Sequence, residues 1–289
     1  MVISLTSVDR LRRRRASAYG AGPTLDDAIE VARRLAGEGL ACTVGYSASR
    51  DDRPRAVADM HLAAFERLAA EGLDGEVSVK LSALGFDASL FAELDAAAAH
   101  SARALHVDAL GPETVDATWV LLQGVRRAGR LGTTLPGRWR RSVDDVLLAT
   151  QLGLRVRVVK GQWPDTTAGD LDPAEGVLRV VDRLRGDPER VAVATHDSRL
   201  LAEALRRLAA TGVPCAAELF FGLPFTASLR TARRLGVPVR VYVPYGKYGA
   251  PYGAAELPRN PTAAWWLLQD LLLGKEKTWR SIGRARLAS

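Results

Sequence analysis

Cysteine, methionine and histidine are scarce in this chain: two, two and four among 289 residues. Cys42 and Cys215 are too few for a disulfide framework, and each falls inside a predicted strand. They read as small core residues in a reducing cytoplasm. No histidine stands at ligand spacing to another near His196, so a metal centre has little support. No run approaches the roughly 18 uninterrupted apolar residues that a membrane span needs. The first residues carry no apolar h-region, which predicts no secretory signal and a cytoplasmic location. No G-x-G-x-x-G opens a helix. Gly20-Ala-Gly22-Pro is too short and precedes a helix instead of following a strand, which argues against a Rossmann fold.

What is present describes an ordinary globular chain, 47% apolar and 25% charged. The length suits one large α/β domain. The net charge of +7 invites a nucleic-acid reading. Its clusters, Arg10 with Arg12–Arg15 and Lys275, Lys277, Arg280, Arg284 and Arg286, lie at the termini without interleaved aromatics. They read as solvating arginine and lysine, with no nucleic-acid partner.

Period gives eight strand candidates: Ala41–Tyr46, Glu76–Leu81, Ala104–Asp108, Leu131–Leu135, Leu154–Lys160, Arg190–Thr195, Pro214–Leu219 and Val237–Val243. They are valine-rich without clean polar alternation, as suits strands covered on both faces. Between them, apolar residues recur at three- and four-residue spacing over 25–35, 56–69, 115–127, 143–150, 175–184, 200–208 and 227–235. Acidic first turns (Asp26, Asp27, Asp144, Asp145) and glycine stops (Gly129, Gly153, Gly212, Gly236) mark several helices. Strands alternating with helices imply a parallel sheet. Eight such units predict an α/β fold: a (β/α)8 TIM-type barrel, distorted, with an extra C-terminal helix near 262–273 over the strand ends. The expected organisation is a single domain, with a basic arm at 1–23, the barrel at 24–273 and a mobile tail at 274–289.

Active sites of such barrels gather at the C-terminal ends of the strands. There the chain places Lys80 and Asp108, then Arg157, Lys160, Gly161 and Gln162, then Thr195, His196 and Asp197, and finally Tyr242 and Tyr245. A lysine at such a mouth can bind an anion, form a Schiff base or pair with a carboxylate such as Asp108. Two cations followed by a glycine suit a phosphate or an electron-rich ring that approaches the backbone. Arg157 could equally be held by carboxylates inside the barrel.

In order and spacing, V-S-V-K-L-S, V-D, R-V-V-K-G-Q-W, A-T-H-D and V-R-V-Y-V-P-Y-G resemble proline dehydrogenase, the FAD-dependent barrel family of proline catabolism. The resemblance runs from about Leu25 to Pro261. It implies FAD as cofactor and oxidation of a carbon next to nitrogen, leaving an imine. Lys80 resembles the family lysine beside the substrate carboxylate, with Asp108 as its paired acid and Arg157 beside them as catalytic residues. Arg157, Lys160, Gly161, Gln162, Thr195, His196 and Glu218 resemble the group that holds the flavin. Tyr242, Tyr245, Tyr252 and Glu256 fall in the segment that meets the substrate.

Three departures bear on the substrate. Where the family carries an arginine pair that grips the amino-acid carboxylate, this chain has Ala255 and Glu256. That exchange removes bidentate recognition and adds repulsion toward an anion. Pro136 replaces a strand-four glutamine, and Glu218 stands where a strand-seven glutamine is expected. The expected substrate is therefore a small-molecule amine or modified imino acid other than free L-proline. The electron acceptor (quinone, dye or oxygen) and homo-oligomerisation stay open. Two other readings remain: a Schiff-base lyase or aldolase using Lys160 or Lys80, and a non-catalytic barrel that serves as a binding partner.

Overall fold

The computed structural model describes residues 19–49, 51–124, 130–185, 190–247 and 276–286. Eight parallel strands close into a barrel in chain order. They are β1 (Ala41–Ser47), β2 (Gly75–Val79), β3 (Ala104–Val107), β4 (Arg130–Pro136), β5 (Arg155–Val159), β6 (Val191–Ala194), β7 (Cys215–Phe220) and β8 (Val239–Gly246). Pairing of β8 with β1, Cys42 opposite Val241 and Val44 opposite Val243, completes the ring.

The described helices are α1 (Leu25–Gly37), α2 (Pro54–Ala70), α3 (Ala88–His100), α4 (Val115–Gly124), α5 (Ser142–Gln151), α6 (Pro173–Arg183), α7 (Ser198–Ala209), α8 (Thr226–Arg234) and α9 (Glu276–Arg286). Side-chain caps start several of them. Thr24 and Asp27 form a capping box on α1, and Asp87, Asp172 and Asp197 accept backbone N–H bonds at α3, α6 and α7.

All eight predicted strands are present, and the side chains divide by face. Val44, Val77, Val79, Leu105, Val107, Val156, Val158, Val193, Leu219, Val241 and Val243 are buried in the apolar layer shared with the helices. Alternate positions turn inward, and many are polar: Glu76 and Ser78 on β2, His106 on β3, Arg155 and Arg157 on β5, Glu218 on β7, Arg240 and Tyr242 on β8. Their bonds cross the barrel from one strand to another. The strands are thus covered on both faces, as expected. The second cover, however, is a buried ionic interior and not an apolar one.

Two expectations change. Helix α3 lies where no helical period was read, because its alanine-rich sequence gives little amphipathic contrast; Phe91, Leu94 and Ala98 supply the buried stripe. The expected mobile tail is corrected as well, since residues 276–286 form α9, docked on the loop after β7. The Gly222 N–H donates to Thr278 Oγ1 (2.8 Å) and the Phe225 N–H to Ser281 Oγ (3.1 Å). Trp279 meets Phe221 edge-on and carries the Arg34 guanidinium 3.7 Å from its ring centre. The helix expected near 262–273 lies outside the described residues.

Glycine allows one close approach that fixes a strand end. A Cβ on Gly176 of α6 would lie 1.8 Å from the carbonyl oxygen of Gly137, in the turn leaving β4. Only paired glycines let α6 press so near that turn.

Candidate active site

The strand ends bring five of the sequence-predicted residues into one network. Asp108, just past β3, is its centre. Its carboxylate accepts from Arg157 Nη1 (2.6 Å), Ser78 Oγ (2.6 Å) and the Tyr242 hydroxyl (2.8 Å), with Lys80 Nζ at 3.5 Å. Arg157 spans the barrel, its Nε donating to Glu218 Oε2 at 2.8 Å. Both members of that pair are almost fully enclosed, at 4% and 3% exposure. Tyr242 stacks on Phe220 with ring centres 5.4 Å apart and planes inclined by 13°. The Arg157 guanidinium lies 5.5 Å from the centre of the same Tyr242 ring.

Charge follows from this geometry. Burial opposes ionisation of Asp108, but Lys80, Arg157 and the Ser78 and Tyr242 hydroxyls outweigh it and lower its pKa. Burial and then the Asp108 charge push the Tyr242 phenol well above its ordinary range, so it remains a donor. Burial also opposes the Arg157 charge, yet Glu218 and Asp108 raise its pKa. The Glu218 carboxyl is pushed up by burial, with Arg157 pulling the other way. The 2.8 Å contact from Arg157 Nε, made out of reach of water, makes the two an ion pair.

A second group lies at the rim of β5 and β6. Lys160 pairs with Asp197 at 3.2 Å, both partly exposed. Gly161 holds φ at +92°, and a Cβ there would come within 2.9 Å of Pro136 and Arg138 side chains. Arg138 ties this turn down by donating to the Gln162 carbonyl (2.7 Å) and to Asp170 (2.7 Å). Thr195 is buried, its hydroxyl accepting from the Asp197 N–H at 3.2 Å.

The remaining predicted residues lie elsewhere. His196 Nε2 accepts from the Phe220 N–H (2.9 Å), which places the ring proton on Nδ1, facing the Pro224 carbonyl at 3.3 Å. Burial lowers its pKa to about 4, so it is a neutral clamp between β6 and β7 at physiological pH. Tyr245 turns outward, donating to the Met60 carbonyl of α2 at 3.1 Å, and does not join the network. Tyr252, Ala255 and Glu256 lie outside the described residues. Ser78 was missed by sequence reasoning, although its place one alternation before Lys80 put it on the same face.

Beneath the network, Glu76 pairs with Arg155 and Arg240, and His106 Nε2 lies 3.0 Å from Thr134 Oγ1. The lower interior was also missed, because charged residues within valine runs read as interruptions and not as an inward face.

The donor set fits a flavin. Arg157 Nη2 and Glu218 Oε1 are buried with no partner among the described residues. Nearby stand the Lys160 ammonium and the Gly161 backbone, which presents no side chain to a planar ring. Cationic donors suit a ring edge that gains negative charge on reduction. No cluster of metal-ligating side chains occurs among the described residues.

No family model matches the chain. Proline dehydrogenase 1 of Bacillus subtilis (strain 168) is 25% identical over 277 residues, which cover 89% of this chain and 90% of that protein. Proline dehydrogenase of Deinococcus radiodurans is 26% identical over 293 residues, covering 92% and 94%. Among solved structures, proline utilization A from Bdellovibrio bacteriovorus, inactivated by N-propargylglycine, superposes with a TM-score of 0.74 at 15% identity, over 92% of this chain. Proline utilization A from Corynebacterium freiburgense gives 0.65 at 15% identity over 96%. Each match spans 33% of those longer chains, and at such identity they show the shared fold alone. Along nearly its whole length, and on the barrel just described, this chain is thus similar to the proline dehydrogenases, and that likeness supports a flavin-dependent dehydrogenase acting on a CH–NH donor.

Proposed function

We propose that the protein is an FAD-dependent dehydrogenase that oxidises the C–N bond of an amine or modified imino acid, other than free L-proline, to an imine. The observation that carries this reading is the buried Lys80–Asp108–Arg157–Tyr242 network at the strand ends. Bound FAD supplies the two-electron acceptor for a hydride from the carbon next to nitrogen. The chain supplies orientation and charge. Asp108, ionised and surrounded by donors, presents a fixed acceptor toward an ammonium or amine N–H. Tyr242, held by Asp108 and Phe220, offers an immobile ring wall against an apolar substrate. Arg157 Nη2 and Lys160 would hold the flavin and offer positive charge to its reduced ring.

The substrate part rests on sequence: a methyl at Ala255 and a carboxylate at Glu256 stand where the family grips a carboxylate with two guanidinium groups. An electron acceptor drawn from quinones, dyes or oxygen and a cytoplasmic location belong to the same proposal. No described helix is long and apolar enough to cross a membrane. A Schiff-base mechanism gains no support, because Lys80 and Lys160 each lie in an ion pair, whereas imine formation requires a free amine. The test is dye-coupled turnover with L-proline beside a panel of cyclic secondary amines and masked imino acids. The proposal expects turnover in the panel and little with L-proline; efficient L-proline oxidation would remove its substrate part.

A further inference from the structure

Among the described residues the charges linked across the barrel are matched, and one residue completes the match at the mouth. At the upper level Lys80 and Arg157 share Asp108, at 3.5 and 2.6 Å, and Arg157 alone engages Glu218, at 2.8 Å. At the lower level Arg155 and Arg240 share Glu76, and Arg240 also reaches the exposed Asp74 at 3.3 Å. Among the described residues four cations therefore meet four carboxylates. Without Glu218, the upper level would hold two cations on one carboxylate, with the surplus on an arginine only 4% exposed. A buried guanidinium in that state recruits an anion, because an uncompensated buried charge is costly. With Glu218 in place the demand is already met from within the chain.

We propose that Glu218 is a specificity-determining residue: by neutralising Arg157 it makes the mouth refuse a substrate carboxylate and accept neutral or cationic amines. The inference rests on the reading of this mouth as the amine-oxidation site and narrows its substrate class. It stands on the described interior, independently of Ala255 and Glu256. Glu218 acts through Arg157, and hence through the Asp108 and Tyr242 contacts that Arg157 helps to hold.

Two probes of equal ring size separate the charges: pyrrolidine, an amine, and cyclopentanecarboxylate, an anion. Each is titrated into the wild type, Glu218→Gln and Glu218→Asp. Binding is read by thermal shift and by perturbation of the flavin absorption band in FAD-loaded protein. Wild type is expected to bind pyrrolidine at least about tenfold more tightly than the carboxylate, a margin of about 1.4 kcal/mol. Glu218→Gln should gain about tenfold or more in carboxylate affinity. A merely structural role would not produce such a gain. Glu218→Asp, which restores the charge, should keep the wild-type order.

Equal or tighter binding of cyclopentanecarboxylate by the wild type overturns the inference. So does a folded Glu218→Gln protein whose preference is unchanged. If that variant does not fold, the wild-type comparison and Glu218→Asp still decide. Failure to take up FAD would instead remove the functional reading, while the thermal shifts would still report the charge preference of the mouth.

Discussion

Replacing Asp108 by asparagine tests the network at its centre. The carboxylate is 13% exposed and accepts three hydrogen bonds of 2.6 to 2.8 Å, with Lys80 beside it. Asparagine keeps an acceptor for Ser78 and Tyr242 but removes the charge that Arg157 and Lys80 oppose. Breaking a buried pair by removing one partner costs about 3–5 kcal/mol. The retained acceptor favours the lower end, so about 3 kcal/mol is expected. For a large domain that corresponds to a loss of roughly 6–12 °C in melting temperature at pH 7.

The effect should also depend on pH. The Asp108 pKa is lowered in the folded protein, so its contribution is complete above the unfolded value, about 3.9. It is lost as pH falls through the folded value. Thermal denaturation of wild type and Asp108→Asn from pH 7 down to pH 3 should therefore show a gap that is constant at first and narrows below about pH 4. A gap under about 1 kcal/mol at pH 7, or one that stays undiminished at the acid end, would refute the reasoning.

Two other outcomes follow from local geometry. His196, whose pKa burial lowers to about 4, should remain neutral with its proton on Nδ1 down to that pH in a nitrogen-detected NMR titration. Its folded value lies below the unfolded value of about 6.5, so its neutral form stabilises the fold fully above that pH, and the contribution is lost as pH falls from about 6.5 toward 4. Gly176→Ala would force a methyl into the Gly137 carbonyl, and should cost about 1–3 kcal/mol or more in chemical denaturation while α6 shifts away from the β4 turn.

The barrel was legible because the strands are short apolar runs and most of the helices between them carry an amphipathic period. An exception shows the limit: in α3 the alanines reduce the contrast between faces, and only Phe91 and Leu94 mark the buried side. Lys80, Asp108, Arg157 and Tyr242 were legible as one cluster because they close or interrupt apolar runs at one end of the sheet. The division of interior charge was less so. Glu76, the β5 arginines Arg155 and Arg157, Glu218 and Arg240 come from four separate strands, and which carboxylate each arginine takes is decided by barrel closure. Tyr245 shows the converse error: it sits in a matching motif, yet strand alternation turns it outward to Met60. The basic C-terminal residues read as a solvated tail, whereas Thr278, Ser281 and Ile282 supply a buried face that docks α9.

Flavin-dependent amine oxidation at this mouth is tested most directly by absorption spectroscopy of the purified protein. The spectrum is recorded after loading with FAD and again on anaerobic addition of cyclic secondary amines and of L-proline. The proposed function predicts a bound-flavin band that bleaches with at least one amine and persists with L-proline. A protein that retains no flavin, or a band that no amine in the panel bleaches, would contradict it.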